Sequence, residues 1–326
     1  MSARHKSSKK QRSRVLDAAT YALARALLFG MAWLPEFVVY PALDALGRLY
    51  LRCSKKRRKI AIANLALAFA GKRSEAELFA LARRACGASF MVLGDVARIE
   101  RMIRSGKHRD RVDDRAFLDQ LERRRAELGL VGAPIFCTPH LGSWEVAGFQ
   151  LGLHFDGAVV IARPLGNPYL QAWLVRCRSQ LGVSIVPRRG GVRSLVAALR
   201  ANCAIGLLPD QNQRMRGIFV EVFGKLASCD RSPARLAQMS AASIVAMACY
   251  RVGRRYRFRL ELSDIFAVEA GTKDLAVPTR RLQASIEELI LRAPDQYFWV
   301  HDRYRTRPAP QADAPSLASA EPARRQ

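Results

Sequence analysis

Between Ala133 and Leu208 the chain alternates short apolar runs with helical segments, and this alternation constrains the fold more than any other feature. Ala133–Cys137, Ala158–Ala162, Val183–Pro187 and Ala204–Leu208 read as strands. Ser143–Leu153, Pro168–Leu181 and Val192–Asn202 read as the helices between them. Buried runs of four to eight residues separated by helices of that length imply βαβ units, hence an α/β fold with a mostly parallel sheet flanked by helices. Ligands of open α/β sheets bind beyond the carboxyl ends of the strands. His140, Arg163 and Asp210 each follow a strand end directly. Ser243–Val252 and Tyr256–Leu262 read as an antiparallel pair turning near Gly253, and Ser285–Leu291 as a short helix. Upstream, Ser74–Gly94 and the charge-rich stretch Glu100–Glu127 read as helical.

The loop after the first of these strands is Pro139-His140-Leu141-Gly142-Ser143-Trp144-Glu145. Ser143 is placed to cap the following helix, which puts His140 on the loop and Glu145 in the first turn. An imidazole held by a carboxylate is a general base for a hydroxyl that attacks a carbonyl. The structural alternative is a surface histidine beside a helix-capping glutamate. Of the other histidines, His5 and His108 lie among charges where solvated roles suffice, His154 follows a helical stretch it can cap, and His301 has packing as an equal alternative. Arg163 lies in a loop stiffened by Pro164 and Pro168, and can fork onto phosphate or carboxylate or face an oxyanion. Its alternative is an ordinary surface arginine. Asn167 can cap the helix starting at Pro168 or touch substrate. Asp210 can fix Arg163, contact a substrate, or cap a turn, and Gln211 is a weaker candidate of the same kind. Trp144, Phe149, Phe219, Phe223 and Trp299 read as core, with the lining of an apolar channel as the other use.

The chain carries 54 Lys and Arg against 28 Asp and Glu, a formal net charge of +26. Such a balance implies an anionic partner: nucleic acid, an acidic membrane face or an acidic protein. The basic residues are spread over the whole chain and form no zinc-finger, RNP or basic-zipper pattern, which argues against a nucleic-acid-binding protein. Seven scattered cysteines without a C-x2-C pair fit a reducing compartment. No phosphate-binding glycine loop and no H-E-x-x-H occurs, so neither a nucleotide nor a metal cofactor is expected. Residues 1–15 form a basic tail. An apolar stretch from about Tyr21 to Leu51 follows, interrupted by Arg25, Pro35, Glu36, Pro41 and Asp44, and a second basic cluster closes it. Its longest uncharged run, Ala26–Pro35, is far short of the roughly 20 residues of a spanning helix. Basic flanks on both sides favour an interfacial helix or shallow hairpin, so membrane attachment is expected and the topology stays open. From Pro308 the chain is rich in Pro, Ala and Ser and reads as disordered.

Four blocks in order give the chain a family likeness. They are His140-Leu-Gly-Ser-Trp-Glu145; Ala162-Arg-Pro-Leu-Gly-Asn-Pro168; Gly206-Leu-Leu-Pro-Asp210-Gln211 followed by Val222-Phe223-Gly224; and Phe298-Trp-Val-His301-Asp-Arg-Tyr-Arg-Thr-Arg-Pro308. From about Arg57-Arg58 to Pro308 the chain resembles the late acyltransferases of lipid A biosynthesis, the lauroyl/myristoyl transferase family. The resemblance implies a glycerol-3-phosphate acyltransferase-like fold with an N-terminal membrane-associated helix. It divides the chain into a basic tail (1–15), an anchoring helical segment (16–52), an acyltransferase domain (53–307) and a disordered tail (308–326). It implies acyl transfer from an acyl carrier protein thioester to a hydroxyl of a lipid A precursor at the cytoplasmic side of the inner membrane. His140 and Glu145 would be the catalytic dyad, with Arg163, Asn167, Asp210 and Gln211 on substrate or oxyanion. Acyltransferases acting on glycerophospholipids, aminolipids or other glycolipids share the H-x4-D/E logic and stay open as alternatives.

Overall fold

The computed structural model describes residues 13–155, 157–162, 164–180, 182–187, 191–215 and 217–308. The chain opens with four helices, α1 (Arg14–Trp33), α2 (Glu36–Cys53), α3 (Lys55–Ala68) and α4 (Glu75–Arg104). A short strand β1 (Val112–Asp113) and helix α5 (Arg115–Glu127) lead into the alternating region. That region runs β2 (Ile135–Cys137), α6 (Trp144–His154), β3 (Ala158–Ala162), α7 (Pro168–Ser179), β4 (Val183–Pro187), α8 (Gly191–Arg200) and β5 (Ala204–Leu207). A hairpin β6 (Ile218–Val222) and β7 (Lys225–Cys229), helix α9 (Ser232–Ser240), strands β8 (Ile244–Arg251) and β9 (Phe258–Phe266), and helix α10 (Ala276–Arg292) complete it.

Seven strands form one sheet in the order β1-β9-β8-β2-β5-β3-β4, with β6 and β7 apart. Every neighbouring pair in the large sheet is parallel except β8 with β9. The mostly parallel α/β sheet expected from the alternation is therefore present, with the antiparallel pair around Gly253 as read. Both faces of the sheet are covered, which explains why its strands are apolar throughout rather than alternating. Along β2, Ile135 and Cys137 enter one core and Phe136 the other; along β8, Ile244, Ala246 and Ala248 face one and Val245, Met247 and Cys249 the other. Truncating a side chain such as fully buried Phe136 to alanine would cost about 3–5 kcal/mol.

Three readings are corrected and one element is added. Glu100–Glu127 is not one helix: α4 ends at Arg104, and Gly106 takes a left-handed φ of +71° in the turn leading to β1. Helix α10 is 17 residues long, not the short Ser285–Leu291: its buried face begins in the first turn at Pro278 and Thr279 and runs on through Leu282 to Ile290. The β6–β7 hairpin was seen only as a motif. Its signal is Phe223-Gly224, both at positive φ (48° and 71°), as a two-residue hairpin turn requires. His108 is not solvated but buried, bonded to Tyr256 and Gln150.

Helix α4 starts on a capping box, Ser74 with Glu77, and carries the N-terminal layer. α2 packs on it through Val39, Tyr40 and Leu43. The crossing is close because a Cβ at Gly47 would lie 2.5 Å from the Cys86 carbonyl, and one at Gly87 2.0 Å from Asp44 Oδ1. The segment 16–52 is thus two different helices parted at Leu34-Pro35. α2 is built into the fold on one side. α1 is mostly exposed and is the one described helix long and apolar enough to cross a membrane. The basic tail up to residue 12, and the C-terminal tail from residue 309, lie outside the described residues.

Candidate active site

The centre of the sheet brings the expected base and one expected carboxylate together. Cys137 pairs in register with Leu207 across β2 and β5. His140 lies three residues beyond the first and Asp210 three beyond the second, so the two loops meet above the sheet edge. The Asp210 carboxylate accepts the His140 backbone N–H at 2.9 Å and binds the ring at Nδ1 at 2.8 Å. A carboxylate only accepts, so Nδ1 carries the ring proton and Nε2 keeps its lone pair. The Gln211 amide lies 3.2 Å from that Nε2 and donates to it. Asp210 is buried, which pushes its carboxyl up, but the electrostatic pull of the His140 ring, the two hydrogen bonds from that residue and nearby Arg303 outweigh burial and hold it below the usual range. An ionised, buried partner on Nδ1 sets the tautomer and stabilises an imidazolium.

The His140 loop is held from three sides. Gly142 sits at φ +58°, and a Cβ there would lie 2.1 Å from the Cys249 carbonyl, so only glycine allows the loop to lie against β8. Ser143 donates its backbone N–H to the same carbonyl at 2.9 Å. Its hydroxyl donates to Asp95 at 2.8 Å, where the Tyr40 hydroxyl (2.9 Å) and the Arg251 guanidinium also arrive. Asp95 and Arg251 are both buried, a paired charge whose loss on one side leaves the other stranded. From the C-terminal block, Phe298 donates its N–H to the His140 carbonyl at 3.0 Å, and Gly142 donates to the Gln296 carbonyl. The rings of Trp144 and Phe298 flank the imidazole at 5.1 and 6.3 Å.

Glu145 differs from the expectation. In this structure the hydrogen bond on the imidazole comes from Asp210, while Glu145 accepts from Arg178 of α7 at 2.6 Å. The first turn of α6 points the Glu145 side chain across to α7. Both His140 and the Glu145–Arg178 pair line one cavity of about 170 Å³ that runs between α6 and the sheet. Its walls are mostly apolar: Phe136, Phe149, Leu151, Val160, Val183 and Met247. Gly148 lies mid-helix on this wall, and a Cβ there would meet nothing within 4 Å.

The remaining expected residues separate. Arg163 lies outside the described residues; Ala162 before it lines the cavity. Asn167 caps α7 by accepting from Tyr169 and Leu170, and its amide donates to the Asp17 carbonyl and Thr20 hydroxyl of α1, so it clasps two helices. His154 binds Asp114 at 2.5 Å, far from His140 along α6. His301 accepts from the Asn212 N–H at 3.0 Å, and burial lowers its pKa. Arg303 is buried, donating to the Ser228 carbonyl at 2.8 Å, so the C-terminal block braces β7. Among the described residues no three of His, Cys, Asp and Glu converge as metal ligands. Sequence reasoning missed Asp95, Arg178 and Arg251. Asp95 is one charge among many on α4, Arg178 one of two arginines on α7, and Arg251 ends a strand, with nothing local to mark them.

A histidine held by a carboxylate beside an apolar cavity at the carboxyl edge of an α/β sheet is an arrangement that general-base chemistry on an apolar substrate can use. The family profile for bacterial lipid A biosynthesis acyltransferases matches residues 6–306, and the chain belongs to that family. It is 26% identical over 295 residues to a lipid A biosynthesis palmitoleoyltransferase of Escherichia coli, covering 86% of this chain and 90% of that protein. It is 26% identical over 300 residues to the lauroyltransferase of the same organism, with the same coverage. A phosphatidylinositol mannoside acyltransferase of Mycobacterium tuberculosis is 24% identical over 174 residues, 52% of this chain. The chain spans about half the length of that relative.

Proposed function

We propose that this protein is an O-acyltransferase that moves a fatty acyl chain from an acyl carrier protein thioester to a hydroxyl of an anionic glycolipid, a lipid A precursor. The observation that carries the reading is the imidazole held by Asp210 in the wall of an apolar cavity. His140 Nε2 takes the acceptor hydroxyl proton once Gln211 is displaced from it. The oxygen attacks the thioester carbonyl, the C–S bond breaks, and the imidazolium returns its proton to the departing thiolate. Asp210 keeps Nδ1–H directed and balances the charge that forms. Glu145 and Arg178 form the polar break in the cavity wall beside the reacting carbon, and Arg163 takes the oxyanion or an acceptor phosphate. The acyl chain lies in the cavity along α6.

We place the α/β domain, glycerol-3-phosphate acyltransferase-like in layout, at the cytoplasmic face of the inner membrane with α1 in the bilayer. The net charge of +26 suits an acidic carrier protein, a phosphorylated acceptor and an anionic leaflet, each basic residue near such a surface adding about 1 kcal/mol. The mannoside acyltransferase relatives favour a glycolipid over a glycerophospholipid acceptor as the second reading. The test offers carrier-protein thioesters of several lengths against a tetra-acylated lipid A precursor and, in parallel, lysophosphatidate. Transfer to the precursor that His140→Ala reduces by at least about a thousandfold supports the reading. Transfer to lysophosphatidate alone moves the substrate to glycerolipids.

A further inference from the structure

Beneath α1 lies a second and larger cavity, about 610 Å³, walled by α1, α4 and α7. It ends against the reaction cavity, because Glu145, Phe149 and Arg178 line both. The Glu145–Arg178 ion pair is therefore the partition between the two spaces. Four arginines line this groove, Arg25, Arg101, Arg104 and Arg178, against two glutamates, Glu100 and Glu145. The cations are set into apolar walls: Arg25 stacks 4.8 Å over Trp173, and Arg101 4.4 Å over Trp33. On α1, Leu23 and Leu27 outside the groove and Phe29 and Trp33 in its wall are all more than half exposed.

A groove that mixes guanidinium groups with indoles fits a molecule carrying both phosphate and hydrocarbon, and not a soluble anion. Its position beside the most exposed apolar helix points to the bilayer as the source. We propose that the α1–α4–α7 groove binds the phosphate-bearing head and inner acyl chains of the anionic lipid acceptor, which enters sideways from the membrane and reaches His140 past the Glu145–Arg178 pair. This rests on the acyl-transfer reading for the identity of the lipid. The groove itself stands on its geometry.

The experiment uses the full chain in lipid nanodiscs. The probes are a bis-phosphorylated tetra-acyl disaccharide lipid, its dephosphorylated counterpart, and cardiolipin. Binding is read by native mass spectrometry on His140→Ala protein, so that turnover does not interfere. Two further changes are added to it separately: Arg25→Gln with Arg104→Gln, which removes charge, and Ala97→Trp, which fills the groove from α4 without touching charge. Each should weaken the phosphorylated lipid by about tenfold or more while thermal unfolding stays put, and the charge change should have no effect on the dephosphorylated form. In otherwise wild-type protein the same changes should raise the acceptor KM by about tenfold with kcat and donor KM nearly unchanged. Unaltered binding in both variants overturns the proposal. Equal binding of cardiolipin with the same sensitivity makes this a bulk phospholipid site and overturns the acceptor assignment. Binding that both variants lose, in a protein whose wild type transfers no acyl chain, keeps the groove and rejects the enzymatic reading.

Discussion

Asp210→Asn separates two accounts of the base. Asp210 accepts two bonds from His140, at 2.9 Å from the backbone and 2.8 Å at the ring. Asparagine has the same shape and its carbonyl can still accept one of them, so the loop should stay folded. Its amide carries no charge, however, and half of it donates. The imidazolium that forms during proton transfer then loses a buried counter-charge, and the neutral ring can turn to the wrong tautomer. A buried carboxylate facing a histidine is worth about 10²–10⁴ in kcat, as the serine-protease Asp→Asn change illustrates. That is about 3–5 kcal/mol of transition-state stabilisation. Glu145→Gln removes the charge from a carboxylate that faces Arg178, so it should cost only about tenfold. The assay is single-turnover acyl transfer from a carrier-protein thioester, which isolates chemistry from product release. The reasoning is refuted if Asp210→Asn stays within about threefold of wild type while Glu145→Gln loses more than a hundredfold. Glu145 would then be the carboxylate that serves His140 in the reacting complex.

Other expectations follow from neighbouring observations. Asp95→Ala strands the buried Arg251 guanidinium and should cost about 3–5 kcal/mol, read as a large drop in midpoint on thermal unfolding; a shift of a degree or two would mean that the pair is replaced by water. Gly142→Ala must move the Cys249 carbonyl or the loop, and should lose activity far more than Gly148→Ala, where the added carbon has open space. Gly148→Leu should fill the cavity and shift donor preference toward shorter acyl chains, measured across thioesters of graded length; an unchanged profile would place the chain elsewhere. His108 is buried and its pKa lies below 6.5, so the unfolded chain binds a proton more readily than the folded one. Its contribution to stability is complete above about pH 6.5 and is lost as pH falls through that value and below, so His108→Gln should flatten this part of the stability–pH curve.

The alternation of elements was readable because its punctuation is local. Ala158–Ala162 and Val183–Pro187 appear with the bounds their apolar, β-branched runs suggest, and α7 starts after Asn167, whose side chain caps it; α6 starts after Ser143 as read, but the Ser143 hydroxyl goes to Asp95 instead of capping the helix. His140 and Asp210 could both be placed after strand ends. That they meet could not be read, because it depends on β2 lying beside β5 rather than beside β3, a choice made by packing over 70 residues. The five-residue spacing to Glu145 suggested a pair that the first turn of α6 points toward α7. Asn167 shows the converse: its capping role was legible, and its grip on α1 was not. The apolar stretch after residue 20 carried no mark of which half would pack inward; Gly47 and Gly87 decided it by letting α2 touch α4.

Asp95 gathers Tyr40, Ser143 and Arg251, groups contributed by stretches of chain more than 200 positions apart. Seen from the ribosome, this sets a timetable. The loop bearing His140 emerges early, but the last cation that anchors its serine is synthesised about a hundred residues later, and the Phe298 amide that pins its carbonyl later still. A nascent chain that stopped short of Phe298 would carry the His140 loop without this brace. The loop is therefore set by contacts that close at the end of folding rather than by its own stretch of chain.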